Sequence, residues 1–469
     1  MRERPSQCQQ SDMLRRPAEQ ADERLSQHKV DSPVHGRNLG PQSGFIGLQG
    51  AGRIRRVTTP PISLFGVPQA SAKAYQAGTH RARSPRSTWE EYRRFMPRAG
   101  ITRLANLTGL DWIGLPVFTA IRPNSRSLAT SQGKGEDADS ARVSALMESL
   151  ELWHAENIDA PLRYASSASL RREAEVIDVE RLPLRTGAIL RPEEPLPWIQ
   201  GWDLMRGRAC WVPFSTVSAD FVGREDPRDP FHRTSNGLAS GNHLLEAIVH
   251  GLCEVIERDA ETLWRLGEDL RRVDLSTVQS PFCRRTIDLI ERAGVYVATW
   301  EITSDVGIPA YACALLDPPD GPRWRVLGVH DGFGCHLSAD VALMRALSEA
   351  VQTRVTYVSG SRDDLFRHEY ARAYDETTLR DVWDEIRAPE AMAPFAGTSL
   401  ATDSFEGDVA VLLSALKRAG VESAVAVDLT KPELALPVAK VLVPGLEGVF
   451  DDMCARGERA RRLSEASPS

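Results

Sequence analysis

The chain has 469 residues, with 57 Lys and Arg against 64 Asp and Glu, a formal net charge of −7 and 42% hydrophobic content. That length and apolar fraction can bury a large core or two packed subdomains, and the acidic balance argues against a general nucleic-acid binder. The seven cysteines are scattered and form no CxxC, which excludes a disulfide framework and a thiolate zinc site. There is no HExxH, and no apolar run approaches the roughly 18 residues of a membrane span. The N-terminal MRERPSQCQQSDMLRR lacks the apolar centre of a signal peptide, so a cytoplasmic location without membrane contact is expected.

Residues 1–56 are polar and without sustained period, and are expected to form a disordered extension or to lie upstream of the true start. A folded domain is expected over 57–450. Within it, GLPVFTAIRP after Gly114 reads as a strand, and SALMESLELWHAE from Ser144 as a helix. GWDLMRGRACWVPF reads as two strands around a turn, and GNHLLEAIVHGLCEVIERDAETLW from Gly241 as a second helix. VYVATWEIT, IPAYACALLD and RWRVLGVHDGFG carry the β-branched and aromatic residues of a mostly antiparallel sheet. DVALMRALSEAVQTR from Asp340 is a third helix, followed by the helix DVAVLLSALKRAG, the strands SAVAVDL and AKVLVPG, and a polar tail over 451–469. The expected class is α+β, with helices on mostly antiparallel sheets in one large domain.

The first, second and third helices each carry acids on one face. At about 100° per residue, Ser144, Glu148 and Glu151 fall within roughly 60° of one another, away from Leu146, Met147 and Leu150. Asn242, Glu246, Glu254 and Glu257 span about 120°, opposite Ile248, Leu252, Val255 and Ile256. Arg345, Glu349 and Gln352 repeat the i, i+4, i+7 spacing of the first helix. Taken singly, each stripe is also what a solvated helix face looks like, and Asn242 is equally well placed to be an N-cap. Solvated faces usually mix Lys with Glu, however, and none of these stripes contains a lysine. Six acids packed together repel, and a bound divalent cation beside phosphate is the usual remedy.

The runs RPNSRSLATSQGKGEDADSARVSALMESLE, TSNGLASGNHLLEAIVHGLCEVIERDA and GFGCHLSADVALMRALSEAVQTRVTYVSGSRDD resemble the YcaO family, ATP-dependent enzymes that activate peptide backbone amides. The resemblance extends from about Lys73 to Glu447. It implies a YcaO-like fold, ATP and Mg2+ as cofactors, and nucleotide-motif roles for Ser144, Glu148 and Glu151, for Asn242, Glu246, Glu254, Glu257 and Arg258, and for Arg345, Glu349 and Gln352. Glu148, Glu151, Glu246, Glu254, Glu257 and Glu349 form the expected pool of direct or water-mediated Mg2+ ligands. Arg258 and Arg345 offer forked donors for phosphate, with an ion pair to a neighbouring Glu as the alternative role for Arg258. Leu152 stands where many relatives have an arginine, which removes one expected contact.

A backbone amide is a poor electrophile. A nucleophile must add to its carbonyl carbon, and the oxygen must leave as phosphate. Azoline-forming members use a Cys, Ser or Thr of the substrate and typically end in a proline-rich segment, whereas this chain ends in SEASPS. With DLTKPELALPVAKVLVPGLEG, this resembles the members that work with a TfuA partner to install a thioamide. The expectation is therefore thioamidation of a peptide or protein with a TfuA-like protein and an external sulfur donor, and a homodimer by the same resemblance. An azoline-forming cyclodehydratase and a catalytically silent peptide-binding subunit are the alternatives. A metal hydrolase is weakened by the lack of a histidine motif.

Ser131-Gln132-Gly133-Lys134-Gly135 lacks P-loop spacing and reads as a flexible turn, from which Lys134 could reach a nucleotide. Nothing physical fixes a role for Lys73 or for the GTHR run ending at Arg81. Cys335, beside His336, reads as inert packing rather than a persulfide carrier, and Cys253 as a small spacer. His80, His250 and His336 have no metal-ligand spacing.

Overall fold

The computed structural model describes residues 61–223, 226–267, 271–321, 327–373, 375–388 and 391–466. The expected extension over 1–56 lies outside the described residues, as does Cys8.

In chain order, a hairpin of β1 (Ile62–Leu64) and β2 (Val67–Gln69) leads to α1 (Pro85–Tyr92). A three-stranded antiparallel sheet follows, made of β3 (Arg103–Asn106), β4 (Val117–Ile121) and β5 (Thr130–Lys134), and then α2 (Ala138–Glu156). Next come β6 (Arg163–Ser166), α3 (Ser167–Leu170), β7 (Pro195–Asp203), β8 (Arg208–Pro213), β9 (Leu238–Ser240) and α4 (Leu244–Leu266). The middle third holds β10 (Arg271–Asp274), α5 (Pro281–Arg292), β11 (Tyr296–Glu301), β12 (Ala310–Leu316), β13 (Val329–Cys335) and α6 (Ala339–Ser359). The chain closes with α7 (Arg367–Ala373), α8 (Glu376–Arg387), β14 (Met392–Pro394), α9 (Phe405–Arg418), β15 (Val425–Asp428), β16 (Val438–Leu442) and α10 (Glu458–Ala466).

Strands β13-β12-β11-β10-β14 form one sheet; β6-β7-β15-β16-β9, with β8 beside β7, form another. Every pairing between these strands is antiparallel except β10 with β14. The α+β expectation is met, with the fold divided among separate sheets. Helix α4 lies between the two larger ones. Its Leu245, Ile248, Leu252 and Ile256 share a core with Ala439 and Val441 of one sheet and with Trp300 and Phe333 of the other. Leu146 and Leu150 of α2 pack in a second core, against the opposite face of the β16 sheet. Leu343 and Leu347 of α6 pack in a third, against β11 and β12.

Two glycine pairs, Gly133 with Gly135 and Gly332 with Gly334, let helices approach strands closely. A Cβ at Gly133 would overlap the Ala145 amide and the Ala141 carbonyl of α2, and one at Gly334 would overlap the Ala342 carbonyl of α6. The segment read as a flexible turn is therefore strand β5, flattened onto α2. Its glycines serve close packing rather than looseness. Within the expected polar tail, Glu458–Ala466 is a helix docked on α4: Arg459 Nε bonds Asp259 at 2.9 Å, and the Ala460 amide bonds Glu447 at 2.9 Å.

Candidate active site

Helices α2, α4 and α6 meet beside the ends of β5, β9 and β13, and five of the six expected acids face one another there. Glu148 accepts a hydrogen bond from the Gln132 amide of β5 at 3.1 Å. Burial, opposed by Lys134 and Arg362, raises its pKa to about 7. Glu151 is bonded by Ser240 at the end of β9; burial and the neighbouring charges of Glu254 and Glu148 lift it well above the usual carboxylate range. The Glu254 carboxylate makes no hydrogen bond to another described residue, and burial pushes it to about 7 against the pull of Arg258. Glu257 accepts from the Cys335 amide at 2.7 Å and lies 3.6 Å from Arg345; burial raises it as well. Glu349 is the exception. Burial alone would raise it, but Lys134, 2.8 Å away, together with Arg258 and Arg345, holds it below its ordinary value.

The cations are interleaved with these acids. Arg258 pairs with Glu261 at 2.8 Å and, although burial works against its charge, Glu261, Glu257, Glu349 and Glu254 raise its pKa. The sequence reading missed Lys440. It is 1% exposed on β16 and donates to the Thr234 carbonyl at 2.6 Å; burial lowers its pKa to about 8, while Glu254 and Glu151 resist. A lone lysine inside the apolar run PVAKVLVP was the available signal.

Glu246 stands apart from this group. It lies eight residues before Glu254, about 12 Å along the helix axis. Its oxygens are taken by Arg81 at 3.4 Å, the Ala82 amide at 2.9 Å and the Asn242 side chain at 3.3 Å. Asn242 is neither the N-cap nor a member of the helical stripe. The cap is His243, whose ring nitrogen accepts from the Leu245 amide at 3.2 Å, while Asn242 precedes the helix and accepts from Thr88 at 2.8 Å. Ser144 sits one turn before Glu148, and its side chain makes no hydrogen bond to another described residue. The Gln352 side-chain oxygen and the Arg345 Nε are buried without partners.

The residues left without a role now have places. Lys73 is ion-paired to Asp408 at 2.5 Å and donates to the Thr402 carbonyl at 2.7 Å. Next to Glu246, a narrow cleft is lined by His80, Arg81, His250, Cys253, His336 and Arg345. Cys335 is fully buried, and burial, together with the adjoining Cys253 thiol, raises its pKa well above that of a free thiol, consistent with packing.

Among the described residues, no three His, Cys, Asp or Glu side chains are spaced to hold a metal by themselves. Magnesium needs no such cage, because it keeps several waters and takes one or two carboxylates alongside phosphate oxygens. Carboxylates raised by burial, a bare Glu254, and orphaned donor and acceptor atoms at Arg345 and Gln352 together fit a polyanion with its cation.

The YcaO family pattern, described as YcaO cyclodehydratase, ATP- and Mg2+-binding, matches residues 132–447. The chain belongs to the YcaO family. A Rhizobium leguminosarum bv. trifolii relative, an uncharacterized protein in the tfuA 3' region, is 35% identical over 381 residues, covering 78% of this chain and 88% of its own. Among solved structures, YcaO from Methanopyrus kandleri bound with AMPPCP and Mg2+ is similar at a TM-score of 0.61 and 22% identity, covering 80% of this chain and 95% of that one. A heterocyclase in complex with substrate and cofactor gives a TM-score of 0.68 at 21% identity, covering 85% of this chain and 56% of the heterocyclase. These two likenesses show the YcaO fold. No described helix is long and apolar enough to cross a membrane.

Proposed function

We propose that this YcaO protein activates a peptide backbone amide at the meeting point of α2, α4 and α6, and that the product is a thioamide made with a TfuA-like partner. The observation that carries the first part is the set of raised carboxylates, of which Glu254 has no protein hydrogen bond. Arg258, Arg345, Lys134 and Lys440 offset these acids only in part, and a divalent cation would stabilise them further. Glu148, Glu151, Glu254, Glu257 and Glu349 are the groups we assign to magnesium and its waters, and Arg258, Arg345 and Lys134 to phosphate oxygens. Ser144 and Gln352 are polar groups beside them, while Asn242 stays with Glu246 and Thr88. In place of the magnesium role expected for Glu246, we assign it the task of holding Arg81 and the turn at Ala82.

ATP with magnesium, when bound, supplies the phosphoryl group that turns the amide oxygen into a leaving group. The chain's own work is to align and neutralise. Arg258 and Arg345 lie where negative charge would build up, already oriented before the reaction begins. No nucleophilic side chain of the protein is required.

The thioamide product is supported by the Rhizobium relative's place in the tfuA 3' region and by its 35% identity. A second reading, azoline formation, is favoured by the cyclodehydratase description of the family. The two separate by mass. Incubating the protein and a TfuA-like partner with cognate peptide, ATP, Mg2+ and sulfide should add about 16 Da to the peptide, whereas a loss of about 18 Da would mean cyclodehydration. Peptide-stimulated ADP release is expected in either case. Its absence would leave a silent binding subunit.

A further inference from the structure

Arg258, assigned above to phosphate oxygens, is tethered by a single nitrogen. Its Nη1 donates to Glu261 Oε2 at 2.8 Å, and its guanidinium makes no other hydrogen bond to a described residue. The Arg258 side chain is 23% exposed, against 6% for Glu261. An arginine on so long a stem has several staggered rotamers open to it, so whatever fixes Glu261 decides where the free end of the fork points.

Glu261 is fixed from behind. Arg265, one turn further along α4, donates to Oε1 from both Nε, at 3.0 Å, and Nη2, at 2.8 Å, which leaves Oε2 to Arg258. The Arg265 guanidinium lies against two rings, its carbon 5.1 Å from the centroid of Phe333 on β13 and 5.5 Å from that of Phe450. At i, i+3 and i+7, Arg258, Glu261 and Arg265 fall within roughly 60° on one side of α4, in a line that runs from the acid group into the core. We propose that Glu261 and Arg265 are positioning residues, a buried pair that sets the orientation of Arg258 toward the phosphates of the bound nucleotide. This rests on the reading that Arg258 meets phosphate.

Stability alone does not account for the pair. Both side chains are almost fully buried, and Arg265 Nη1 has no partner at all. Trp264 and Trp300 pack beside Phe333, so the surroundings would accept apolar side chains of similar volume, and such replacements of buried ion pairs are often neutral or stabilising. What an apolar pair could not supply is a fixed carboxylate oxygen for Arg258. A guanidinium held in place before nucleotide arrives loses less rotamer freedom on binding, and the gain appears as affinity.

The test needs no turnover. The full chain is titrated calorimetrically with a non-hydrolysable ATP analogue and Mg2+ as the parent, as Arg258→Met, as the double variant Glu261→Met with Arg265→Met, and as all three changes together. Arg258→Met and the double variant should each weaken analogue binding by about tenfold, and the triple variant should bind no more weakly than Arg258→Met alone. The thermal midpoint of the double variant should hold or rise. Asp331 of β13, whose carboxyl burial pushes up to about 7 against the pull of Arg265, can take up a proton once that charge is gone. Arg265→Lys keeps the charge but loses the fork, and serves if the double variant does not fold: its loss of affinity should be smaller and should vanish in the Arg258→Met background. Losses that add in the triple variant, or analogue binding that both Arg265→Lys and the double variant leave unchanged, would overturn the proposal. A midpoint that falls while affinity holds would make the pair structural. Parent-like binding by Arg258→Met would instead remove the phosphate role of Arg258 itself, an outcome separate from a failure of the pair.

Discussion

Helix α4 carries acids at two stations that differ in how they are satisfied. At the first, Glu246 is enclosed by Arg81, the Ala82 amide and Asn242, and every partner comes from the protein. At the second, two turns on, Glu254 has no protein hydrogen bond, and burial raises both it and Glu257. The first station resembles ordinary fold architecture. The second costs stability until a cation arrives, and that is the signature of a site kept for a ligand. The same helix and the same residue type thus serve two ends, and the distinction lies in neighbours far away in sequence.

The sharpest way to break this contrast is to neutralise each station. Glu254→Gln is expected to lower peptide-stimulated ADP release by about 10²–10³, the cost of losing one preorganised electrostatic partner. Its thermal midpoint should hold or rise, because a carboxylate whose charged form is disfavoured by burial is gone. A midpoint that drops while turnover survives would make Glu254 structural. Close packing behind the site is next. Gly334→Ala puts a methyl group against the Ala342 carbonyl and should destabilise the protein by about 1–3 kcal/mol or more in denaturant titrations. Glu246→Ala strands the Ala82 amide and Asn242, with an expected loss of about 1–3 kcal/mol in stability and a smaller effect on turnover than Glu254→Gln. The opposite ranking of the two glutamates in turnover would erase the distinction between the stations.

The mildest test is pH. The pKa values of Glu148 and Glu254 stand near 7, above those of an unfolded chain, so between the usual carboxylate range and that value the native state holds more protons than the unfolded one. Stability of the ligand-free protein should therefore be fullest at low pH within this window and should fall as pH rises through about 7. A Glu148→Gln, Glu254→Gln double variant should show a flatter profile in thermal scans. Added Mg2+ and ADP should offset the fall in the parent and release protons on binding.

Much of this arrangement could be read in the sequence. Helical period and missing lysines marked α2, α4 and α6, and alternating β-branched runs marked β11 to β13, because both signals are local. What escaped depended on contacts across the chain. Gly133 and Gly135 looked like a loose turn, since nothing nearby in sequence announces that α2 will lie against them. Lys134 and Lys440, the lysines absent from the stripes, arrive from strands instead. Asn242 matched a cap by composition, yet Thr88, 154 residues away, holds it, and His243 takes the role. The helix Glu458–Ala466 is too polar to betray itself by apolar period. It is pinned by charge, through Arg459 on Asp259.

The most direct test is diffraction from crystals grown with Mn2+ and a non-hydrolysable ATP analogue, using the anomalous signal of manganese to locate the cation. The account predicts metal peaks among Glu148, Glu151, Glu254, Glu257 and Glu349, with at least one carboxylate oxygen at about 2.1–2.2 Å and the triphosphate between α2, α4 and α6. Metal bound at Glu246 instead, or nucleotide seated away from these helices, would contradict it.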